Sequence, residues 1–391
     1  MPNLASLRAC TACMACIDSC TKKALSFYIS DEGYYQIKID PIKCVECGRC
    51  SRVCPVLNYP SNPNRSSKKA FAVWDQNEKI RAKSSSGGAF SAIARFILEK
   101  HGVVYGAAIE GFKVKHTRVT SLNQLYRLQG SKYQQSEVSE IYKQVKADLL
   151  NGLLVLFSGM SCQIAALISY LGKTDKSNLY TIDTICGGVS TLLPMLQLEK
   201  QGKYVRIISF RDKQYGWKPK GFHYSLKMQT PDGVIEDLSY NNAIIKSFCT
   251  PVLKRFSCIN CKFKGLQRFS DATICDFWGI KNYKDQHYNG VSGLIVNNQR
   301  IEDLIKNSSL EKYEVSLKNI LDYNPSYYWN YSVYLYDIRR RKKALNYLQS
   351  NDINAFMKFI IKKPGVVLRI LLKINEYMRS KYYNNYINSR K

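Results

Sequence analysis

Eight cysteines in the first 58 residues have the spacing of iron–sulfur cluster ligands. The run CTACMACIDSC supplies four of them, and a second run repeats the same spacing before Pro55. The eight thiols are Cys10, Cys13, Cys16 and Cys20, followed by Cys44, Cys47, Cys50 and Cys54. This is the two-cluster bacterial ferredoxin pattern, in which three thiolates two residues apart wrap one 4Fe–4S cluster and the fourth reaches the other cluster.

The crossover assigns ligands to two clusters that share both runs. On this pattern Cys10, Cys13, Cys16 and Cys54 hold one 4Fe–4S cluster, and Cys44, Cys47, Cys50 and Cys20 hold the second. Structural zinc is the alternative, since tetrahedral sulfur sites suit either metal. Zinc ribbons usually present two separate CxxC pairs, so the two four-cysteine runs favour iron–sulfur clusters that carry single electrons.

Six of the fourteen cysteines lie outside this region. Cys162 and Cys186 each follow an apolar strand pattern, at positions that face the crevice at the carboxyl edge of a parallel sheet. Cys258 and Cys261 add a CxxC pair. Four such thiolates could hold a third 4Fe–4S cluster or a zinc ion, or could be ordinary buried cysteines. Cys249 and Cys275 are alternative ligands.

The segment SSSGGAF offers a second kind of site. Ser84, Ser85 and Ser86 carry hydroxyls, Gly87 and Gly88 permit close backbone approach, and a helical pattern follows. This combination suits a phosphate or pyrophosphate at a helix N-terminus, although a serine and glycine helix entry also serves as a simple cap.

Other catalytic signatures are missing. The sequence contains no GxGxxG, GKT at 172–174 lacks the upstream glycine of a P-loop, and no HExxH or Ser/His/Asp order is found. The four histidines, which are His101, His116, His223 and His287, each favour a structural role. An NAD-type Rossmann site is therefore not supported.

The elements that position these residues form two main regions. An alternating stretch around Asp31-Glu32-Gly33 predicts a hairpin between the two ferredoxin runs. Residues 59–69 are rich in Pro, Asn and Ser and predict a linker. From about residue 70 to 325, strand patterns feeding helices at VVYGAAI, LLVLFSGMSCQIAALISYLG and LYTIDTICGGVSTLLPMLQL predict an α/β domain.

The charge is strongly basic, with 58 Lys and Arg against 30 Asp and Glu and a formal net charge of +28. This favours polyanions, anionic membrane surfaces or an acidic protein partner, although an A/T-rich genome also produces such composition. The N-terminus lacks the apolar core of a signal peptide, and no apolar run is long enough to span a bilayer. Cytoplasmic location is expected, where cysteines serve as metal ligands more than as disulfides.

The last 66 residues, 326–391, predict a basic helical tail. Fourteen basic residues from Arg339 to Lys391 face only Asp337, Asp352 and Glu376 among acidic residues after Tyr331. Two apolar helical stretches, broken at Pro364-Gly365, could lie peripherally on an anionic membrane at its inner face or dock on the protein's own body. Nucleic-acid binding by this tail is a third reading, which predicts steep salt dependence.

Taken together, the motifs resemble the coenzyme F(420) hydrogenase and dehydrogenase beta-subunit family. The resemblance covers about residues 1–325 and includes the double ferredoxin run, SSSGGAFSAIARFILEKHGVVYGAA, RLQGSKYQQS, VLFSGMSCQIAAL, TICGGVS, and FSCINCKFKG followed by SDATICDFWGI. Related members include chlorophyll-pathway reductases. The basic tail is similar to that of bacterial members associated with surface-polysaccharide pathways.

The resemblance implies a fold, cofactors and site residues. It implies an α+β ferredoxin-like domain at 1–58, a non-Rossmann α/β flavin domain that binds FAD at 70–325, and the tail at 326–391. The FAD-pocket candidates are Ser85, Ser86, Gly87, Gly88, Ser131, Lys132 and Tyr133. The third cluster would be held by Cys162, Cys186, Cys258 and Cys261. Asp276, Trp278 and Gly279 match a family segment of unassigned role.

The sequence departs from the family pattern beside two of these cysteines. It has Gly159-Met160-Ser161-Cys162 where the family has Gly-Thr-Pro-Cys, and Cys186-Gly187-Gly188 where the family has Cys-His-Gly. These changes leave the substrate open. The leading hypothesis is an iron–sulfur flavoprotein oxidoreductase that exchanges electrons with a redox partner, such as a ferredoxin or reductase, and with an organic substrate. The alternative is a non-catalytic electron-transfer subunit that docks a partner enzyme.

Overall fold

A computed structural model of the chain describes residues 2–61, 68–214, 216–217, 225–238, 242–265, 267–279, 286, 288–324, 326, 335–361, 374 and 378. Residues 62–67 of the expected linker, His223 and His287 lie outside the described residues, as does most of the expected tail beyond residue 361.

The cysteine-rich N-terminal region is built on the expected hairpin. Its elements are α1 (Ala15–Ser19), β1 (Leu25–Ile29), β2 (Tyr35–Ile39) and α2 (Arg49–Arg52). The two strands pair antiparallel, and Gly33 in their turn has a φ of 76°. The turn rests on the larger domain, because the Thr191 hydroxyl donates to the Glu32 carbonyl and the Leu192 amide donates to the Gly33 carbonyl.

The larger domain is built on a mixed eight-stranded sheet. Its strands are β3 (Ala70–Asp75), β4 (Val103–Glu110), β5 (Lys113–Val119), β6 (Val155–Gly159), β7 (Leu179–Thr184), β11 (Ala272–Asp276), β12 (Ser292–Val296) and β13 (Leu310–Val315). The spatial order is β13-β3-β12-β11-β7-β6-β4-β5. The central strands β4, β6, β7 and β11 run parallel, and the flanking pairs are antiparallel.

Helices cover both faces of this sheet. The helices of this domain are α3 (Glu78–Lys83), α4 (Ala89–Glu99), α5 (Ile141–Leu150), α6 (Ser161–Leu171), α7 (Leu193–Gln201), α8 (Ala243–Cys249), α9 (Phe256–Ile259), α10 (Glu302–Asn307) and α11 (Leu317–Leu321). Helices α4 and α10 share one apolar core with Val104 and Leu156. Helices α5 and α6 share the other with Tyr105, Phe157 and the cysteine-rich region.

A smaller antiparallel sheet lies beside the main one. It comprises β8 (Arg206–Asp212), β9 (Ser225–Gln229) and β10 (Ile235–Leu238), in the order β10-β9-β8. It shares an apolar core with Phe112 and Val114 near β5 and with α8. The expected plan of a ferredoxin-like region followed by a larger α/β sheet domain is confirmed.

The strand and helix patterns fold largely as expected, with one difference near Cys186. The segment containing Cys162 forms β6 followed directly by α6, as predicted. After β7, however, the chain runs through residues 185–192 before α7 begins at Leu193. Cys186 therefore lies in a loop beyond the sheet edge, because Gly187, Gly188 and the residues after them do not form a helical turn.

The described part of the tail packs on the protein's own body. It forms α12 (Leu335–Gln349) and α13 (Ile353–Ile361). Phe356 is fully buried in a core that also contains Leu253, Ala344 and Leu345. Across the ranges that the structure describes, no helix has both the length and the apolar character needed to cross a bilayer.

Candidate iron–sulfur and cofactor site

The two ferredoxin runs adopt the same unusual backbone at matching positions. Ala12 and Met14 in the first run have φ angles of 50° and 63°, and Glu46 and Gly48 in the second have 53° and 68°. Each pair lies two and four residues after the first cysteine of its run, and a short helix follows. Non-glycine residues rarely adopt positive φ, so the repetition indicates two loops shaped around equivalent ligands.

The thiols of the first expected set lie close together. Burial raises the pKa of Cys13 to about 12, with smaller contributions in the same direction from Cys10 and Cys54. Burial also raises the pKa of Cys16, again helped by Cys13, Cys10 and Cys54. Because a buried thiolate without compensating charge is disfavoured, this donor set fits a site completed by a cationic metal centre.

The second set lies beside the first. Burial is the main cause that raises the pKa of Cys50, and Cys20 from the other run also contributes. Cys50 in turn contributes to the raised pKa of Cys16 in the first set. The structure thus brings Cys20 to the second run and Cys54 to the first, as the crossover pattern predicts.

The four domain cysteines also come together. Burial raises the pKa of Cys162, and Cys261, Cys186 and Cys258 raise it further. Gly188, whose φ is 94°, lets this set form: an added Cβ there would lie 2.9 Å from Cys258 Cβ and 3.4 Å from Lys254 Cδ. The Gly188 amide donates to Cys186 Sγ over 3.2 Å, the kind of bond that tunes a cluster sulfur.

Cys249 and Cys275, the alternative ligands, lie on other elements. Cys249 is exposed at the end of α8. Cys275 lies on β11, where its Sγ is 3.7 Å from the Gly293 carbonyl oxygen and burial is the main cause that raises its pKa. Burial lowers the pKa of Lys254, and Cys249 is among the thiols, with Cys186 and Cys258, that oppose this shift.

No three His, Cys, Asp or Glu side chains converge on a single-ion site within the residues described. A 4Fe–4S cluster has a different requirement, because each of its four thiolates binds a different iron at a separate corner of the cube. The spacing of a cluster cage is accordingly wider than that of a mononuclear site.

Three buried cations lie together, and two of them, Lys254 and Arg255, lie beside the third and first cysteine sets. Lys254, Arg255 and Arg341 are each no more than 4% exposed. Lys254 Nζ donates to the Gly188 carbonyl over 3.0 Å, and Arg255 Nε donates to the Cys10 carbonyl over 2.8 Å. Arg341 Nη1 donates to the Lys254 carbonyl, and its Nη2 pairs with Glu32. Buried positive charge is costly unless it is compensated, so this arrangement fits anionic thiolate centres.

The first and third sets adjoin each other. Cys13 contributes to the raised pKa of Cys162. The buried Tyr142 hydroxyl lies 2.9 Å from the Cys13 carbonyl oxygen and 3.3 Å from that of Gln163, one residue after Cys162. Gln135 Nε2 also donates to the Thr11 carbonyl over 3.0 Å. The cysteine-rich region is therefore joined to the sheet edge at the point where the two sets meet.

Replacing Tyr142 with phenylalanine is expected to lower the free energy of unfolding of the apoprotein by about 1–2 kcal/mol, because the Cys13 carbonyl loses its buried donor. Urea denaturation measures the change. Tyr126→Phe, at a tyrosine that is 67% exposed, is the matched control and should leave stability unchanged. Equal effects of the two substitutions would contradict a role for Tyr142 in joining the regions.

The serine and glycine loop is held by its own hydroxyls. Ser85 Oγ accepts from the Ser131 amide, and Ser86 Oγ donates to the Val291 carbonyl. An added Cβ on Gly87 would lie 2.6 Å from the Ser292 amide nitrogen, so only glycine fits there. The expected Ser85 and Ser131 segments therefore meet, although these serines serve to shape the loop.

Backbone amides at the start of α4 and two buried lysines are the groups near this loop that could attract a bound anion. Helix α4 begins after Gly88, whose φ is 90°, without a side-chain cap. Lys132 Nζ donates only to the Leu128 and Gln129 carbonyls among the bonds identified, and burial lowers its pKa to about 7. Lys213 Nζ donates to the Arg81, Ser86 and Asn289 carbonyls, so it contributes its charge beside the loop and not a spare N–H group, and burial is the main cause that lowers its pKa to about 7. An uncapped helix terminus with buried lysines fits a phosphate-bearing cofactor.

The other pocket candidates have different surroundings. Tyr133 stacks on Phe248 with ring centroids 4.4 Å apart. Asp276, at the end of β11, accepts from Arg211 Nη1 over 2.8 Å and from Trp217 Nε1 over 3.1 Å, and Trp217 stacks on Trp278. The family-like segment therefore fixes an arginine and two tryptophans at the carboxyl edge of the sheet.

Sequence reasoning missed the buried cations. Lys254, Arg255, Arg341 and Lys213 carry no motif, and only the position of Lys254-Arg255 shortly before the CxxC pair could have drawn attention to them. His116 is also notable: burial lowers its pKa to about 4, and its ring stacks on Phe157.

Comparison with known proteins gives family matches to separate regions of the chain. Models described as 4Fe-4S dicluster domains match residues 9–58 and 36–89. Two further models describe the two ends of the "Coenzyme F420 hydrogenase/dehydrogenase, beta subunit". The model of its N-terminal part matches residues 70–143, and the model of its C-terminal part matches residues 153–320. These two models together span more than half of the 391-residue chain.

Among solved structures, the chain is similar to one from "Xenon derivatization of the F420-reducing [NiFe] hydrogenase complex from Methanosarcina barkeri". The identity is 14% and the TM-score 0.44, and the alignment covers 76% of this chain and 93% of that one. No curated protein matches the chain. On the family matches, this iron–sulfur electron-transfer chain belongs to the coenzyme F420 hydrogenase/dehydrogenase beta-subunit family.

Proposed function

We propose that the chain is an iron–sulfur flavoprotein oxidoreductase that moves single electrons through three 4Fe–4S clusters to FAD. The observation that carries this proposal is the continuity of the cysteine sets. Cys50 of the second set contributes to the raised pKa of Cys16 in the first set. Cys13 of the first set contributes to the raised pKa of Cys162 in the third. A line of neighbouring redox centres is what a protein relay requires.

The surroundings of the third set favour a cluster over ordinary buried cysteines. Burial raises the pKa of Cys162, Cys258 and Cys261, and neighbouring cysteines raise it further, which opposes thiolate formation without metal. The buried Lys254 beside Cys258 offsets negative charge on such a centre. Zinc bound by four thiolates would also be anionic, so charge alone does not choose between the two metals. We choose a 4Fe–4S cluster because the adjoining cysteine runs have the spacing of ferredoxin clusters.

FAD is assigned to the uncapped end of α4, between the Ser85–Gly88 loop and Lys132. When bound, FAD supplies the exchange between one-electron and two-electron chemistry. The protein's own residues would bind and orient it: Gly87 and Gly88 allow close backbone approach, and Lys132 and Lys213 provide positive charge. Ser131 and Tyr133 complete the pocket, by bonding to Ser85 and by stacking on Phe248.

An organic substrate would exchange a hydride or an electron pair at this pocket. The alternative function, a non-catalytic subunit that docks a partner enzyme, uses the same relay without that exchange. We place the protein in the cytoplasm, where its thiols stay reduced, and associate it with surface-polysaccharide enzymes on the resemblance of its tail.

The test of function is substrate-dependent turnover by the isolated, anaerobic chain with an artificial electron donor. Activated sugars from polysaccharide synthesis are the first substrates to try. Reoxidation of the reduced chromophore by one of them supports the enzyme. Reduction of the flavin with no reoxidation by any of them favours the docking subunit.

Flavin binding is expected to depend on pH through Lys132. Burial lowers the pKa of Lys132 to about 7, and an anionic ligand favours its charged form. Above pH 7 binding must therefore take up a proton, so FAD affinity should fall as the pH rises, by at most about tenfold per pH unit for this group. Fluorescence titration of apoprotein with FAD measures the slope.

Lys132→Gln should bind FAD more weakly at pH 6.5 and flatten this slope, whereas Lys100→Gln, at an exposed lysine just after α4, should change neither. Riboflavin, which lacks phosphate, serves as the uncharged comparison ligand. A slope that is the same in the Lys132 variant and the unsubstituted protein would contradict the assignment of Lys132 to the cofactor phosphate.

A further inference from the structure

The second cysteine set forms the solvent-facing end of the relay. In the second set Cys47 is exposed, Cys44 and Cys20 are half-buried and Cys50 is buried, whereas no cysteine of the first set is exposed. Cys249, the other exposed cysteine among the described residues, lies outside every cluster set. Because electron transfer between proteins falls off steeply with distance, the loop around Cys44 and Cys47 is the natural place of exchange with another protein.

This loop displays apolar side chains to solvent. Ile42 is 94% exposed and Val45 is 59% exposed, on either side of Cys44. Hydrogen bonds fix the backbone turn that exposes Ile42. Asp40 Oδ1 accepts from the Ile42 and Lys43 amides, and the Asp40 carbonyl accepts from the Cys44 amide. A fixed turn that holds two aliphatic side chains in water costs hydration free energy, which contact with a partner would recover.

Basic side chains surround these two residues. The exposed basic residues on the segments 20–23 and 40–52 are Lys22, Lys23, Lys43, Arg49 and Arg52. Only Asp40 and Glu46 carry negative charge on the same segments, and because Asp40 pairs with Lys43 at 3.2 Å, the positive excess lies on Lys22, Lys23, Arg49 and Arg52. Arg52 Nη1 donates to the Cys47 carbonyl over 3.0 Å, which fixes this charge at the exposed ligand.

We propose that the Ile42–Arg52 surface is the docking site for a small, acidic, one-electron carrier protein. The surface consists of Ile42, Val45 and the exposed edge of Cys47, together with Lys43, Arg49 and Arg52. The proposal rests on the proposed function, because it takes the second cysteine set to hold a 4Fe–4S cluster. An acidic partner with an apolar contact area matches both the charge and the aliphatic centre, and such redox encounters are small and transient.

The proposed exchange transfers one electron from the carrier to the second cluster. The carrier is oxidised by one electron and the second cluster is reduced by one, with no bond made or broken and no proton required. Docking supplies only proximity, so the surface should control the bimolecular rate constant and leave the clusters themselves unchanged.

Stopped-flow mixing of the full chain with a reduced acidic plant-type two-iron ferredoxin tests the proposal. The absorbance of the chain's clusters reports their reduction. For the unsubstituted chain, the second-order rate constant should fall as salt rises, because opposite charges steer the encounter. Basic cytochrome c, tested as an electron acceptor, should show the opposite salt dependence.

Two substitutions with matched controls locate the surface. Ile42→Glu and Lys43→Glu should each lower the rate constant with the ferredoxin on the order of tenfold, within the range usual for mutants of one interface. Val234→Glu, at a valine that is 55% exposed, and Lys312→Glu, on the outer strand β13, should leave it unchanged. Reduction by dithionite, which needs no protein interface, should be the same in all five proteins.

Equal rates in the surface variants and in their controls would overturn the proposal. It would also be overturned by a salt-independent rate, or by a duplex DNA that binds the same surface and blocks the reaction, which would make the patch a nucleic-acid site. If the chain instead holds no iron–sulfur chromophore and dithionite bleaches nothing, the failure lies with the proposed function and not with the docking surface.

Discussion

Replacing Cys162 with alanine is expected to lower the iron content from about twelve to about eight atoms per chain, on the four-iron stoichiometry of each cluster. Cys162 lies at the start of α6, where the three other domain thiols surround it. Alanine removes one of the four ligands of a buried cage, and Cys249 and Cys275 lie on other elements, at the end of α8 and on β11. The third cluster should therefore be lost.

Iron and acid-labile sulfide analysis of the anaerobic protein measures this change, and low-temperature electron paramagnetic resonance of the reduced protein should retain the signals of the two ferredoxin clusters. Cys249→Ala is the matched control, because it removes an exposed cysteine outside the set. A Cys162 variant that keeps about twelve irons per chain would show that these four thiols do not hold a cluster.

Replacing Lys254 with methionine is expected to make the third cluster harder to reduce. Lys254 is 3% exposed, and its stem and Cys258 Sγ both lie within 4 Å of the same point beside Gly188. At a separation of roughly 7 Å and an effective dielectric constant near 20, one unit charge is worth about 2 kcal/mol. For a one-electron couple this corresponds to a fall in midpoint potential on the order of 100 mV.

Redox titration followed by electron paramagnetic resonance measures the potential. Lys254→Arg keeps the charge and should stay near the unsubstituted value, and Lys200→Met, at an exposed lysine on α7, should have no effect. An unchanged potential in a Lys254→Met protein with full iron content would remove Lys254 from the cluster's surroundings.

The parts of the site that could be predicted from sequence are those that depend on local spacing. The cysteine runs determine which loops wrap a cluster, and the repeated positive φ angles at Ala12 and Glu46 follow from that spacing. The hairpin and the β6 and α6 pair follow from short-range apolar patterns in the same way. Local rules are enough for these elements because few distant residues compete with them.

The buried cations could not be predicted, because their role depends on the tertiary fold. Arg341 comes from α12, more than 300 residues from Glu32, and meets it only after the helix docks on the hairpin turn. Lys254 and Lys213 have the sequence surroundings of surface lysines, and burial becomes visible only when loops cover them. The loop that carries Cys186 beyond β7 is similar, since its course depends on Gly188 packing against Cys258.

The metal and flavin content of the anaerobically purified full chain tests directly whether it holds three 4Fe–4S clusters and FAD. Iron, acid-labile sulfide and zinc are quantified together with the flavin released on denaturation. We expect about twelve iron atoms, about twelve sulfide atoms and one FAD per chain, on the stoichiometry of three 4Fe–4S clusters. Zinc in place of iron, or the absence of flavin from protein that is loaded with iron, would contradict it.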